Sequence, residues 1–136
     1  MPSILSSHPW AVGGVAGLVA ILATAIGVIG ILQYRSETVA RAMAGGDPAR
    51  APALMRRFGC AGCHTIPGIP GGDGQVGTPL SGIKHRVYIG GAVPNSPDNL
   101  VQWIVSPQTF SPRSAMPTTG ISEAEARDVA TYLYSR

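Results

Sequence analysis

From Pro9 to Tyr34 the chain holds no charged residue, in the run PWAVGGVAGLVAILATAIGVIGILQY. As a helix this run would reach roughly 39 Å at about 1.5 Å per residue. That exceeds the roughly 30 Å hydrocarbon core of a bilayer. Residues 9–34 are therefore expected to form a transmembrane anchor, with residues 1–8 as a short cytoplasmic N-terminus. A cleaved signal peptide is the rival reading, because Ala23-Thr24-Ala25 has the small-x-small form of a cleavage site. Against it, no Lys or Arg precedes Trp10, and the apolar run continues past Ala25.

Gln33 to Ala44 contains neither Pro nor Gly, so the membrane helix can continue through it. If the stretch is flexible instead, about twelve residues reach only roughly 20 Å. Residues 35–46 are thus expected as a helical extension or linker. Gly45-Gly46 should stop a helix, and Asp47-Pro48 resembles an N-cap and first helical position. Residues 47–136 should form one small domain, rich in Gly and Pro and short of large aliphatics. A protein-only core of that size is marginal. The domain carries eight basic residues against six acidic ones, which gives no case for a nucleic-acid partner. Its bases concentrate between Arg50 and Arg113, and Glu123, Glu125 and Asp128 lie toward the C-terminus. Such a dipole matters for docking.

Cys60-Ala61-Gly62-Cys63-His64 supplies what such a domain lacks. The C-x-x-C-H spacing is the signature of covalent c-type haem attachment. Two thiols add across two vinyl groups to give thioethers, and the adjacent His64 lies under the iron as proximal ligand. A zinc site would usually need four ligands, and only His85 and His8 remain as further nitrogen donors. A thioredoxin-like pair would need a βαβ setting, and a structural disulfide would leave His64 unexplained. The expected cofactor is one haem c, covalent through Cys60 and Cys63.

Around the motif the pattern is helical. A first helix, roughly Pro52 to Phe58, delivers the chain to Cys60. A second begins near Ser96-Pro97 with Ser96 as N-cap, carries Leu100, Trp103 and Ile104 on one face, and is ended by Pro107. A third opens with a capping box, Ser122 and Glu125, followed by the apolar stripe Val129, Ala130 and Leu133. No strand is expected.

This arrangement resembles the class I (mitochondrial-type) cytochrome c fold over roughly Asp47 to Arg136. The phrase VYIGGAVPNSPDNLVQWIVSPQTFSPRSAMP is similar to bacterial membrane-bound cytochromes c and to the cytochrome c domains of haem–copper oxidase subunit II. The resemblance implies an all-α fold: a single N-terminal transmembrane helix, then a small haem domain of about three helices and long loops. In the family the distal Met sits in a late loop. Pro107-x4-Pro112-x3-Met116-Pro117 matches that loop, so Met116 is the candidate sixth ligand, with His85 as its rival. Gly77-Thr78-Pro79-Leu80-Ser81-Gly82 aligns with the family's Gly-Pro-x-Leu-x-Gly, in which the Pro carbonyl accepts a hydrogen bond from the proximal His. Here Thr78 holds that position, and Leu80 keeps the segment's Leu. Trp103 and Tyr88 are large enough to wall a haem, and Arg86, Lys84 and Ser114 are candidates for its propionates.

The resemblance implies a carrier of single electrons in a respiratory chain and not an enzyme in its own right. Its expected partners are the membrane, through residues 9–34, a quinol-oxidising complex, and a haem–copper or other terminal oxidase. It would act as a fixed subunit or a tethered carrier. The alternative is an open-site haem sensor or gas-binding cytochrome. Orientation sets two arguments against each other. Arg35 and Arg41 flank the C-terminal end of the run, and the positive-inside rule would place that end in the cytoplasm. Proteins bearing this motif acquire haem on the periplasmic or equivalent outer side. Two arginines partly offset by Glu37 are the weaker constraint, so a single-pass protein of the bacterial inner membrane is expected, with its haem domain outside.

Overall fold

The computed structural model describes residues 9–136, with side chains from Gly14 onward. The N-terminal stretch 1–8, His8 included, lies outside the described residues. The chain divides into two compact units at Tyr34/Arg35.

Helix α1 (Pro9–Ala44) supplies the described part of the first unit. Its Gly14–Ala44 stretch is long and apolar enough to cross a membrane, with a mean hydropathy of 2.6 over its 18-residue apolar window. Side chains from 14 to 34 are exposed all round the helix. The helix runs through the Pro- and Gly-free stretch and stops where the sequence says it should. Gly45 takes a left-handed conformation (φ 74°), and its N–H donates to the Arg41 carbonyl at 2.8 Å. That is the usual use of a glycine just past a helix end.

The second unit is mostly helical. It contains α2 (Ala51–Arg57), α3 (Cys60–Cys63), α4 (Pro97–Val105) and α5 (Glu123–Ser135), with 3-10 turns at Ile83–His85 and Pro107–Thr109. The caps behave as their residue types require. The Ser96 hydroxyl accepts from Asn99 N–H at 3.2 Å. Ser122 and Glu125 close a reciprocal capping box, whose hydrogen bonds hold the Glu125 carboxyl below its ordinary range. Asp47 does not cap α2 itself. Its carboxylate accepts from Ala49 N–H at 3.1 Å and holds a turn over 48–50, so α2 begins only at Ala51. The sequence also hid a hairpin: β1 (Tyr88–Ile89) pairs antiparallel with β2 (Val93–Pro94), with Ile89 opposite Val93. Strands of two residues are too short to display alternation.

Helix α5 packs against both α2 and α4, with Leu54, Met55, Leu100, Val101, Ile104, Val129, Ala130 and Leu133 buried among them. Its apolar stripe predicts one buried face. Instead every residue from Asp128 to Ser135 is buried. The stretch from Arg35, expected as an extension or linker, lies in the same compact unit and covers the polar side of α5. Ala40 and Ala44 are 1% exposed. Ser36 Oγ donates to the Ser135 carbonyl at 2.8 Å, Gly46 N–H to Thr131 Oγ1 at 3.0 Å, and Asp47 N–H to Asp128 Oδ1 at 2.7 Å. Asp128 Oδ2 pairs with Arg50 at 3.1 Å.

Asp128→Ala should therefore destabilise the full-length protein by about 1–3 kcal/mol, because it strands the Asp47 N–H against a buried helix. Asp128→Asn keeps an acceptor and loses only a pair to the largely exposed Arg50, so its loss should stay below about 1 kcal/mol. Denaturant titration of both variants in mild detergent checks this, and equal losses would refute the hydrogen-bond account.

Candidate functional site

Ten of the residues singled out from the sequence, Cys60, Cys63, His64, Thr78, Leu80, Arg86, Tyr88, Trp103, Ser114 and Met116, line one cavity of about 360 Å³. Its remaining wall is mostly apolar and includes Met55, Phe58, Leu100, Ile104, Val129 and Leu133. The core helices and the cavity wall are thus the same surface.

Gly59 sets the entry. It ends α2 in a left-handed conformation (φ 73°), which lets the chain turn sharply into α3. One helical turn then places Cys60 and Cys63 at its two ends, and His64 follows in extended backbone (φ −114°, ψ 142°). Both cysteines are free thiols, Cys60 half-buried and Cys63 exposed. Burial pushes the Cys60 thiol above its ordinary range, a backbone hydrogen bond opposes the rise, and Cys63 adds to it. A redox-active dithiol depends on the opposite, a depressed thiol. Among the described residues no group of three or more His, Cys, Asp or Glu side chains could hold a metal by itself.

His64 Nδ1 lies 2.7 Å from the Thr78 carbonyl oxygen. A carbonyl can only accept, so Nδ1 carries the proton and Nε2 is the nitrogen left for a metal. Gly77 makes this approach possible: a methyl group there would fall on the imidazole ring. The carbonyls around Thr78 are held in turn. Arg86 Nη2 donates to the Pro79 carbonyl and, at 3.3 Å, to that of Ser81. Asn95 Nδ2 donates to the carbonyls of Ile83 (2.7 Å) and Arg86 (2.9 Å), and Asn95 Oδ1 accepts from the Tyr134 hydroxyl at 2.6 Å. Asn95 also lines the cavity. Sequence reasoning missed it, since its only local signal was a position next to the Ser96 cap.

Met116 lines the same cavity as His64, while His85 is exposed and lies outside the lining. Ser114 Oγ accepts from Met116 N–H at 3.2 Å. Trp103 stacks on Phe110 with centroids 6.2 Å apart. Lys84, expected beside Arg86, lines a separate groove with Arg35 and Tyr134.

Tyr134 gives the network a pH dependence. Burial pushes its phenol from an ordinary 10 up to about 12, so the folded state favours the neutral donor form. That contribution is intact below pH 10 and disappears as the pH rises from 10 to 12. Unfolding measured across this window should show falling stability in the wild type and a flatter profile in Tyr134→Phe. Parallel profiles would remove Tyr134 from the account.

Residues 48–136 match the family model described as Cytochrome c. No curated protein and no solved structure matches the chain. The family match covers more than half of the sequence, and its region contains the C-x-x-C-H segment, the Thr78 carbonyl on His64 and the Met116 loop. The chain belongs to the cytochrome c family, with a class I-type domain of the kind that carries electrons through haem and is generally not an enzyme.

Proposed function

We propose that this chain is a membrane-anchored monohaem cytochrome that passes single electrons along a respiratory chain, from a quinol-oxidising complex to a haem–copper or other terminal oxidase. The observation that carries the reading is that one cavity is lined both by the thiol–thiol–imidazole set of Cys60, Cys63 and His64 and by the thioether of Met116.

These residues fit a haem c: two free thiols for the covalent links, an imidazole nitrogen and a soft thioether for the iron, and apolar walls for the ring. Bound there, haem iron supplies a one-electron couple between ferric and ferrous states. His64, held by the Thr78 carbonyl, would keep its ring fixed and its donation constant. Met116 would fill the sixth position with a neutral donor, which favours the ferrous state and raises the potential. Leu80, Tyr88 and Trp103 would exclude water. Arg86 and Ser114 are the polar groups nearest a role at the propionates, although both already serve neighbouring backbone.

Residues 9–34 would be the anchor and 47–136 the haem domain, with residues 35–46 fastened to the latter. Support for the anchor is the all-round exposure of apolar side chains from 14 to 34, a surface that water disfavours and lipid accepts. The attachment chemistry supports a domain on the periplasmic side. Similarity to the cytochrome c domain of oxidase subunit II makes a fixed oxidase subunit one form of the proposal.

Two variants test the site. Met116→Ala should keep covalent haem, lower the reduction potential, and let the reduced protein bind carbon monoxide rapidly. Rapid binding to the wild type would instead mean an open site and a sensor. Gly77→Ala should also keep covalent haem but lose the six-coordinate low-spin spectrum, because its methyl displaces the His64 ring. An unchanged spectrum would refute His64 in this geometry.

A further inference from the structure

The loop that carries Met116 is tied to the core at its end by the buried Ile121 but has few hydrogen bonds to hold it. From Ala115 to Ile121 the backbone is in neither helix nor strand. Among the described residues the stretch makes three hydrogen bonds. One is local, from Met116 N–H to Ser114 Oγ. The other two reach the same side chain: Gln108 Nε2 donates to the Met116 carbonyl at 2.7 Å, and Thr118 Oγ1 donates to Gln108 Oε1 at 2.9 Å.

Gln108 is well placed to be a fixed point. It sits in the 3-10 turn Pro107–Thr109, between α4 and the loop, beside the fully buried Pro107. It is itself half-buried. Its amide uses a donor on one residue and its acceptor on another two positions later, so it spans the loop on both sides of Pro117. A neutral amide offers a donor and an acceptor on one rigid plane.

We propose that Gln108 is the positioning residue for the sixth ligand. By clamping the Met116 carbonyl and the Thr118 hydroxyl together, it holds the thioether against the iron and limits how often that position opens. This deepens the reading of Met116 as an iron ligand and rests on it.

The test uses full-length holoprotein in mild detergent and follows carbon monoxide binding to the reduced form, which requires Met116 to leave. Losing one net hydrogen bond corresponds to roughly a fivefold change in an equilibrium, and Gln108→Ala loses two. Gln108→Ala should therefore speed binding about tenfold or more. Thr118→Val, which removes only the acceptor-side partner, should have a smaller effect. Gln108→Glu gives a readout that a purely structural role would not move. Ionised, its carboxylate cannot donate and faces the Met116 carbonyl. Protonated, it again presents a donor and an acceptor. Binding in Gln108→Glu should thus be fast at neutral pH and slow toward wild type as the pH falls through the carboxyl titration.

Met116→Ala separates the two levels. If it leaves the wild-type binding rate unchanged, Met116 is not the ligand and the underlying reading fails. If Met116→Ala is fast but Gln108→Ala matches wild type, or Gln108→Glu shows no recovery in acid, the positioning role fails alone.

Discussion

Helix α5 is wanted on all sides at once. Its apolar edge, through Val129 and Leu133, forms part of the cavity wall. Its polar edge, Asp128, Thr131 and Ser135, lies just as deep. Burying a hydroxyl or carboxylate is unfavourable unless a partner replaces water. Gly46 and Asp47 N–H supply partners to Thr131 and Asp128, and Ser36 bonds the Ser135 carbonyl. The Ser135 hydroxyl donates to the Tyr132 carbonyl within α5, and Ala40 and Ala44 add small, close-packing contacts. The stretch that follows the apolar run thereby becomes part of the fold of the haem domain. A domain with so few large aliphatics gains a second layer of cover from it.

Much of the rest of the domain is loop, and the loops are held by side chains that bond to backbone. Asn95 ties Ile83 and Arg86 to the Tyr134 hydroxyl, Arg86 ties Pro79 and Ser81, and Tyr132 donates to the Pro67 carbonyl at 2.6 Å. Irregular backbone leaves carbonyls without ladder partners, and long planar amides and guanidinia are suited to collecting them. Through Tyr134 and Tyr132, α5 reaches two separate loops. The arrangement around His64 is therefore anchored in the core helix, although no α5 residue touches the imidazole hydrogen bond.

Features that depend on neighbours in sequence were legible, and those that depend on distant partners were not. The C-x-x-C-H spacing is local, as are the Ser96 cap, the Ser122–Glu125 box and the stop after Gly45. The family resemblance pointed to Thr78 and Met116. The hairpin left a faint trace: Gly90 and Gly91 both take positive φ (56° and 68°), the requirement of a tight two-strand turn. Two-residue strands gave no periodicity to go with it. The docking of residues 35–47 left none, because its contacts are made by backbone groups and by polar residues of α5 that a hydropathy pattern assigns to solvent. Asn95 and Gln108 were invisible for a similar reason. An amide that collects carbonyls has no sequence signature until the carbonyls are brought together.

The same distinction explains why Thr78 can stand where the family has Pro. The atom that meets His64 is a carbonyl oxygen, which every residue type provides. Pro79 and Ser81 likewise contribute only carbonyls to Arg86. What the site demands of this segment is room. Gly77 is where that demand falls, since any β-carbon there would collide with the ring. On this account the proximal side constrains the chain through shape at one residue and through the guanidinium and amide that fix the carbonyls. On the proposed reading the distal side differs, because the thioether would come from Met116 itself and its position would depend on the side-chain amide of Gln108.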